Sequence, residues 1–134
     1  MTTTSRHVST FVARPAGAVY AIAADPHRLP EWAAGLAGAD VVADGDQWAT
    51  DSPMGRVRFA FVPRNDLGVL DHTVTLPDGE QVLNPMRVVP VDDATCEVLF
   101  SVRQRPGMSD DDLSRDAEAV ARDLATLKNL AESG

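Results

Sequence analysis

The sequence predicts an α+β fold in which a curved antiparallel sheet of six to seven strands wraps around a long C-terminal helix. Three observations carry this prediction. Apolar and polar residues alternate from residue 39 onward, which is typical of half-buried strands. Turn signals such as Asp44-Gly45 and Asp78-Gly79 separate these stretches at hairpin spacing. The C-terminal stretch instead repeats apolar residues at intervals of three and four, which indicates a helix that buries one face against the sheet.

The first elements are a strand and two short helices. Residues 1–6 are polar and are expected to fray, whereas the alternation over 7–14 predicts a strand. Pro15 suits the first turn of a helix over 16–24, which Asp25-Pro26 ends. A second short helix or turn is predicted over 27–36. Further strands are predicted over residues 39–43, 46–51, 55–63, 68–76, 80–90 and 95–105.

The last helix has the strongest periodic signal in the sequence. Ser109 is a suitable N-cap with Asp112 three residues later, and a run of aspartates complements the positive end of the helix dipole. The apolar stripe comprises Leu113, Ala117, Val120, Leu124, Leu127 and Ala131. This helix is therefore expected to close the core.

Composition limits the class of protein. The chain has 134 residues, 44% hydrophobic and 24% charged, which favours a single globular domain over residues 1–134. A formal charge of −8 argues against binding to nucleic acid or to an anionic membrane surface. Cys96 is the single cysteine, and the sequence contains no apolar run of membrane-spanning length and no signal peptide. A reduced, cytoplasmic protein without membrane insertion is expected.

The hairpin at Asp78-Gly79 predicts which side chains share a face. A three-residue loop with Gly79 in the left-handed conformation pairs Leu76 with Glu80. Val74 then faces Val82, His72 faces Asn84 and Leu70 faces Met86, which separates apolar from polar residues. A two-residue loop would shift the pairing by one residue and mix the two faces.

The same alternation in the neighbouring strands predicts an apolar inner wall. A curved sheet that grips a helix leaves space between them, where a ligand can bind; a core filled by side chains is the alternative. The wall comprises Phe59, Phe61, Val74, Met86, Val98 and Phe100, with Leu124 and Leu127 closing it from the helix and Trp32 at one end.

Two polar residues, His72 and Asn84, fall on this wall. Buried polar groups need hydrogen-bond partners. One interpretation is that Asn84 and His72 satisfy each other, with Asn84 fixing the imidazole tautomer. Two others are that both orient a ligand, or that His72 is a general acid or base.

Three segments of the sequence resemble the START-related helix-grip superfamily. They are RPAGAVY at 14–20, DPHRLPEW at 25–32 and MRVVP at 86–90. The resemblance covers nearly the whole chain and is closest to the bacterial polyketide cyclase/dehydrase-like branch, also called the SRPBCC group. Residues 68–87 look like the hallmark of a subgroup. The resemblance implies a cavity for lipids, polyketides or similar molecules, in a superfamily that includes cyclases, carriers and co-chaperone domains.

Three functions therefore compete. The first is binding of a small hydrophobic or aromatic molecule, and the second is a cyclase, aromatase or dehydratase with His72 as the acid or base. The third is an interaction module resembling Hsp90-activator domains. A neutral aromatic ligand is expected, because Arg56, Arg58, Arg87 and Arg103 are all assigned to the outer face. The histidines lack metal-ligand spacing, no cofactor is implied, and the chain is expected to be a monomer or homodimer.

Overall fold

The computed structural model describes residues 4–34, 36–37 and 39–133. Its elements follow the predicted order, with a long helix last. They are β1 (Ser5–Val12), α1 (Ala16–Ala23), a 3-10 turn (Pro26–Arg28), α2 (Leu29–Trp32), β2 (Val42–Asp44), β3 (Gln47–Ser52), β4 (Gly55–Phe61), β5 (His72–Thr75), β6 (Gln81–Asn84), β7 (Met86–Asp92), β8 (Thr95–Arg103) and α3 (Asp110–Ser133).

The strands form two hydrogen-bonded ladders that meet to make one curved antiparallel sheet. The ladder orders are β1-β8-β7 and β2-β3-β4-β5-β6. They meet where the chain before β5 runs beside β7: the N–H of Leu70 donates to the carbonyl of Met86 at 2.9 Å, and Val69 bridges Arg87. Helix α3 packs against β1 and β8. This arrangement confirms the predicted α+β helix-grip architecture.

Pro85 divides the predicted strand over 80–90 into β6 and β7. Proline has no N–H to donate to a ladder, so continuous pairing ends at this residue. The chain also changes partner here, because β6 pairs with β5 whereas β7 pairs with β8. The prediction of one unbroken strand is therefore wrong, and the break is where the two ladders meet.

The predicted register of the hairpin between β5 and β6 is confirmed. Gly79 has φ +90°, and the N–H of Leu76 donates to the carbonyl of Glu80 at 2.8 Å. The cross-strand pairs are Val74 with Val82 and His72 with Asn84. These pairs fix which residues of β5 and β6 share a face.

The strand predicted over 68–76 is shorter, since β5 begins only at His72. Residues 68–70 lie against β7 instead of β4. The carbonyl of Gly68 accepts the N–H of Val88 at 2.9 Å, and a Cβ atom on Gly68 would lie 2.0 Å from the carbonyl oxygen of Val88. Only glycine permits this approach, and its φ of +73° also favours glycine.

The N-terminal prediction needs correction at both ends. Ser5 and Arg6 do not fray, because they pair with Arg103 and Val102 of β8; residues 1–3 lie outside the described residues. β1 ends at Val12 rather than at residue 14. After it, the backbone N–H of Ala13 donates to the Glu132 carboxylate of α3 at 2.8 Å.

The helix predicted over 27–36 is also shorter. A 3-10 turn capped by Asp25, whose carboxylate accepts the N–H of His27 at 3.0 Å, leads into α2. Helix α2 ends at Trp32, because Ala33 leaves helical geometry with ψ 62°. Of the predicted stretch, Gly35 lies outside the described residues. Glycines at 35 and 38 make a longer helix unfavourable in this sequence.

Helix α3 begins with the predicted cap. The Ser109 hydroxyl accepts the N–H of Asp112 at 3.0 Å, and the Asp112 carboxylate accepts the N–H of Ser109 at 3.2 Å. This reciprocal pair satisfies two donors at the helix start. None of the described helices combines the length and the apolar character that a membrane span needs. The buried stripe of α3 comprises Leu113, Ala117, Leu124, Leu127 and Ala131.

Candidate functional site

A cavity of about 520 Å³ lies between the sheet and the middle of α3, residues 116–124, with α2 at one end. The C-terminal end of α3 packs instead into filled core around Leu127 and Ala131. Along β8 the same division appears, since Phe100 and Val102 line the cavity whereas Cys96 and Val98 are fully buried in the core. One sheet face therefore serves both as a core surface and as a cavity wall.

The predicted wall residues divide between these two regions. Seven of them line the cavity: Trp32, Phe61, His72, Val74, Asn84, Phe100 and Leu124. The other four are buried in the core and do not line the cavity: Phe59, Met86, Val98 and Leu127. The predicted face is correct for all of them, but alternation along a strand does not indicate how far along the face the filled core extends.

His72 lies in an aromatic cluster at the cavity wall. Its ring centroid is 5.2 Å from that of Phe61 and 5.7 Å from that of Phe100. Its Nδ1 is 2.9 Å from the carbonyl oxygen of Leu70. A carbonyl only accepts, so this contact assigns the proton to Nδ1 and leaves Nε2 as an acceptor. Burial lowers the pKa of His72 below its usual value, so the ring is neutral at neutral pH.

The expected hydrogen bond between His72 and Asn84 is not formed. The two residues are cross-strand partners as predicted, and both line the cavity. Nδ1 of His72 donates its hydrogen bond to the backbone carbonyl of Leu70 instead of to Asn84. This carbonyl is available to the ring because residues 68–70 lie outside the β4 ladder. Within the described part of the chain, Nε2 of His72 has no hydrogen-bond partner.

Trp32 also lines the cavity, but its polar atom is buried. Its side chain is placed by α2, and the residue is only 6% exposed. The indole Nε1 is buried and has no hydrogen-bond partner among the described residues. An unsatisfied buried donor is unfavourable by about 1–3 kcal/mol.

Charged side chains surround the mouth of the cavity, and sequence reasoning missed them. Arg103, Arg105 and Arg122 line it together with Asp116. Arg105 also pairs with Glu80 at 3.4 Å. Desolvation raises the pKa of Asp116, although the charge of Arg105 opposes this shift.

These arginines correct the argument for a neutral ligand. Arg103, the last residue of β8, was assigned to the outer face, yet it is one of the residues that line the cavity. Cations are therefore available at the cavity mouth. The spacing on α3 gave a signal only for Asp116, because residues 116, 120 and 124 follow each other at intervals of four and share one face.

The remaining candidate groups lie elsewhere. The Trp48 ring, whose position the sequence left open, contacts His27 edge-on at 5.1 Å and is not among the cavity-lining residues. Cys96 is fully buried, which raises the pKa of its thiol. In the part of the chain that is described, no group of three or more His, Cys, Asp or Glu side chains is placed to hold a metal ion.

Sequence comparison finds no matching family model and no significant match among curated proteins. Structure comparison finds many proteins of the same fold. A conserved protein from Geobacillus kaustophilus has a TM-score of 0.78 at 11% identity, covering 97% of this chain and 96% of that one. The Zhui aromatase/cyclase from Streptomyces sp. R1128 has a TM-score of 0.67 at 14% identity, covering 98% and 94%.

Norcoclaurine synthase from Thalictrum flavum, a point mutant in complex with a transition-state analogue, is also similar. Its TM-score is 0.66 at 15% identity, covering 97% of this chain and 94% of that one. At such identities the likeness concerns the fold. It confirms the expected helix-grip fold and no more than the fold.

Proposed function

We propose that this protein binds a small hydrophobic or aromatic molecule in the cavity between the sheet and α3. The cavity carries the proposal: its volume of about 520 Å³ lies in the usual range of small-molecule sites, roughly 300–1,000 Å³. Its wall is mainly apolar, with Phe61 and Phe100 flanking His72. The neighbours named as an aromatase/cyclase and as a synthase with a bound transition-state analogue support a ligand-binding use of this fold.

A thermal-shift screen against hydrophobic aromatics and lipids tests the proposal. A ligand that binds only the folded state stabilises it by about 2.7 kcal/mol at a hundredfold excess over its Kd. Phe100→Trp enlarges a side chain that lines the cavity, so this variant should remain folded and lose at least about tenfold in affinity for a genuine ligand.

Leu83→Trp is the matched control. Leu83 lies in β6 and is half exposed on the opposite face of the sheet, so a tryptophan at this position should leave ligand affinity unchanged. Equal affinity in the two variants would place the ligand outside this cavity. A complete absence of stabilising ligands would contradict the proposal.

A second candidate is an enzyme of the cyclase, aromatase or dehydratase kind. The observation that favours it is His72, a neutral imidazole whose Nε2 lone pair has no partner among the described residues and which lines the cavity. Such a group can accept a proton from a substrate held in a reactive conformation. Turnover of a bound compound, abolished in His72→Ala while binding persists, would favour the enzyme over the carrier.

A further inference from the structure

The charges at the mouth of the cavity have the opposite balance to those of the chain as a whole. The chain has 12 lysines and arginines against 20 aspartates and glutamates. Among the described residues that line the cavity, the charged ones are Arg103, Arg105 and Arg122 against Asp116 and Asp123. Desolvation raises the pKa of Asp116, so its charged form is less favoured here than in water. Positive charge therefore exceeds negative charge among the lining groups.

The buried part of the cavity wall, in contrast, carries no charge. Each described residue that is buried and lines the cavity is apolar except His72, and burial lowers the pKa of His72 so that its ring is neutral. A carboxylate among these side chains would lose its hydration without gaining a cationic partner, which is strongly unfavourable. A ligand that carries a charge must therefore place its apolar part inside and its charged group at the mouth.

Arg105 is the arginine whose guanidinium is placed at the mouth by its contacts. Its backbone carbonyl accepts the N–H of Met108 at 3.0 Å, in the turn that leads into α3. From this turn the side chain reaches the hairpin between β5 and β6, where Nη1 donates to a carboxylate oxygen of Glu80 at 3.4 Å. The backbone of Glu80 bonds to that of Leu76, which lines the cavity, and the charge of Arg105 also acts on Asp116 of α3. The guanidinium therefore lies where the hairpin and α3 border the cavity.

This guanidinium has hydrogen-bonding capacity left for a ligand. The contact with Glu80 is long, and it is the one hydrogen bond that the Arg105 side chain makes to the described residues. A guanidinium has several N–H donors and binds a carboxylate best through two parallel hydrogen bonds. The Arg105 side chain is 33% exposed, so a ligand can reach it. Partial burial also makes an ion pair stronger than it is in open solvent.

We propose that the cavity binds carboxylic acids with an aromatic or aliphatic body, and that Arg105 pairs with the carboxylate at the mouth. This inference rests on the proposed ligand-binding function and names the class of ligand. The body of the acid lies against the apolar wall, which includes Phe61 and Phe100. Glu80 and the ligand share one guanidinium, so Glu80 weakens the binding of an acid.

Three naphthalene derivatives of nearly equal size test the charge preference by calorimetry at neutral pH. 2-Naphthoic acid is an anion under these conditions, 2-naphthamide is neutral and 2-naphthylmethylamine is a cation. The anion should bind at least about fivefold more tightly than the amide, as expected for a partly exposed, charge-assisted hydrogen bond. The cation should bind no more tightly than the amide. If the cation bound most tightly, the mouth would belong to its aspartates and the inference would be overturned.

Variants connect the preference for the anion to Arg105. Arg105→Gln should bind the amide as the wild type does, which shows that the cavity is intact, and should lose the preference. Arg56→Gln is the matched control, because Arg56 pairs with Asp51 at 3.1 Å and is not among the residues lining the cavity. The preference should persist in this control. Its persistence in Arg105→Gln, or its loss in Arg56→Gln, would overturn the assignment.

Glu80→Gln separates a contact with the ligand from a structural role of the ion pair. This variant removes the carboxylate that pairs with Arg105 but keeps the guanidinium, so its affinity for the anion should rise or stay the same. If Arg105 acted only by holding the hairpin in place, Glu80→Gln and Arg105→Gln would both lose affinity for the anion and for the amide. That result would overturn the inference.

The outcomes also separate this inference from the function on which it rests. Equal affinity for the anion and the amide, or a ligand screen whose hits are all neutral, would overturn the inference and leave the hydrophobic-ligand proposal standing. Failure of all three compounds, together with a failed ligand screen, would overturn both.

Discussion

His72 shows which properties of a single residue can be inferred from sequence and which cannot. Its face and its cross-strand partner follow from the left-handed Gly79 turn, which sets the register of the hairpin. Its hydrogen bond to the Leu70 carbonyl does not follow from any pattern, because it depends on residues 68–70 leaving the ladder. Trp32 is similar: its inward position was predictable, but its unsatisfied N–H was not.

A titration of His72 tests this environment. Burial disfavours the imidazolium, while the hydrogen bond to the Leu70 carbonyl and the nearby carboxylate of Asp71 favour it less strongly, so the pKa of His72 in the folded protein lies below the usual value of about 6.5. Proton-detected titration of the ring should therefore give a value below 6.5. A raised value would mean that the Leu70 carbonyl and Asp71 together outweigh burial.

The same shift predicts how stability depends on pH. Between the lowered folded pKa of His72 and the unfolded value of about 6.5, the unfolded chain binds more protons at this site than the folded one. The contribution of His72 to the free energy of unfolding should therefore fall as the pH drops below about 6.5. Denaturation of wild type and His72→Phe across this window should show a difference that changes with pH, and a constant difference would contradict the shift.

Among the elements, the most predictable were those with many repeats or a diagnostic turn. The α3 stripe and the β5–β6 hairpin are correct because each is fixed by several residues that agree. The strand predicted over 68–76 failed because an extended segment can bond to either neighbour, and here Gly68 allows a close approach to β7. Pro85 was a visible signal for the break in the next strand.

Gly68 is the position at which the contact between the two ladders can be broken. Gly68→Ala would place a methyl group 2.0 Å from a backbone carbonyl and force a positive φ on alanine, so the segment must move. We expect a loss of more than about 3 kcal/mol in the free energy of unfolding, measured with denaturant, because a backbone atom cannot be displaced as a flexible side chain can.

Gly45→Ala measures the cost of a positive φ on alanine in the absence of a steric clash of its Cβ atom. Gly45 also has a positive φ, +65°, but a Cβ atom there has no neighbour within 4 Å. The free energy of unfolding of this variant should fall only by the cost of the left-handed backbone conformation, about 1–2 kcal/mol. Equal losses at the two positions would mean that the approach of residue 68 to β7 is not rigid.

For the molecule as a whole, the predicted fold is correct, but the predicted cavity extends too far along the sheet. Sequence patterns assign residues to a face, whereas the boundary between filled core and open space depends on how α3 crosses that face. Phe59 and Phe61 share one strand face, yet only Phe61 lines the cavity. The charged mouth at Arg103 and Arg105 was missed for the same reason, since it forms where separate elements end near each other.

The buried cluster predicts that the chain unfolds as one unit. It takes residues from both ladders and from all three helices, among them Val12, Val57 and Leu127. Small domains with one contiguous core usually unfold in a single step. Trp32 in α2 and Trp48 in β3 offer separate probes, so fluorescence of Trp48→Phe and of Trp32→Phe should each give a transition that coincides with far-ultraviolet circular dichroism of the same variant. Different midpoints for fluorescence and circular dichroism in either variant would show that the cavity end, or the β2–β4 end, unfolds independently of the rest.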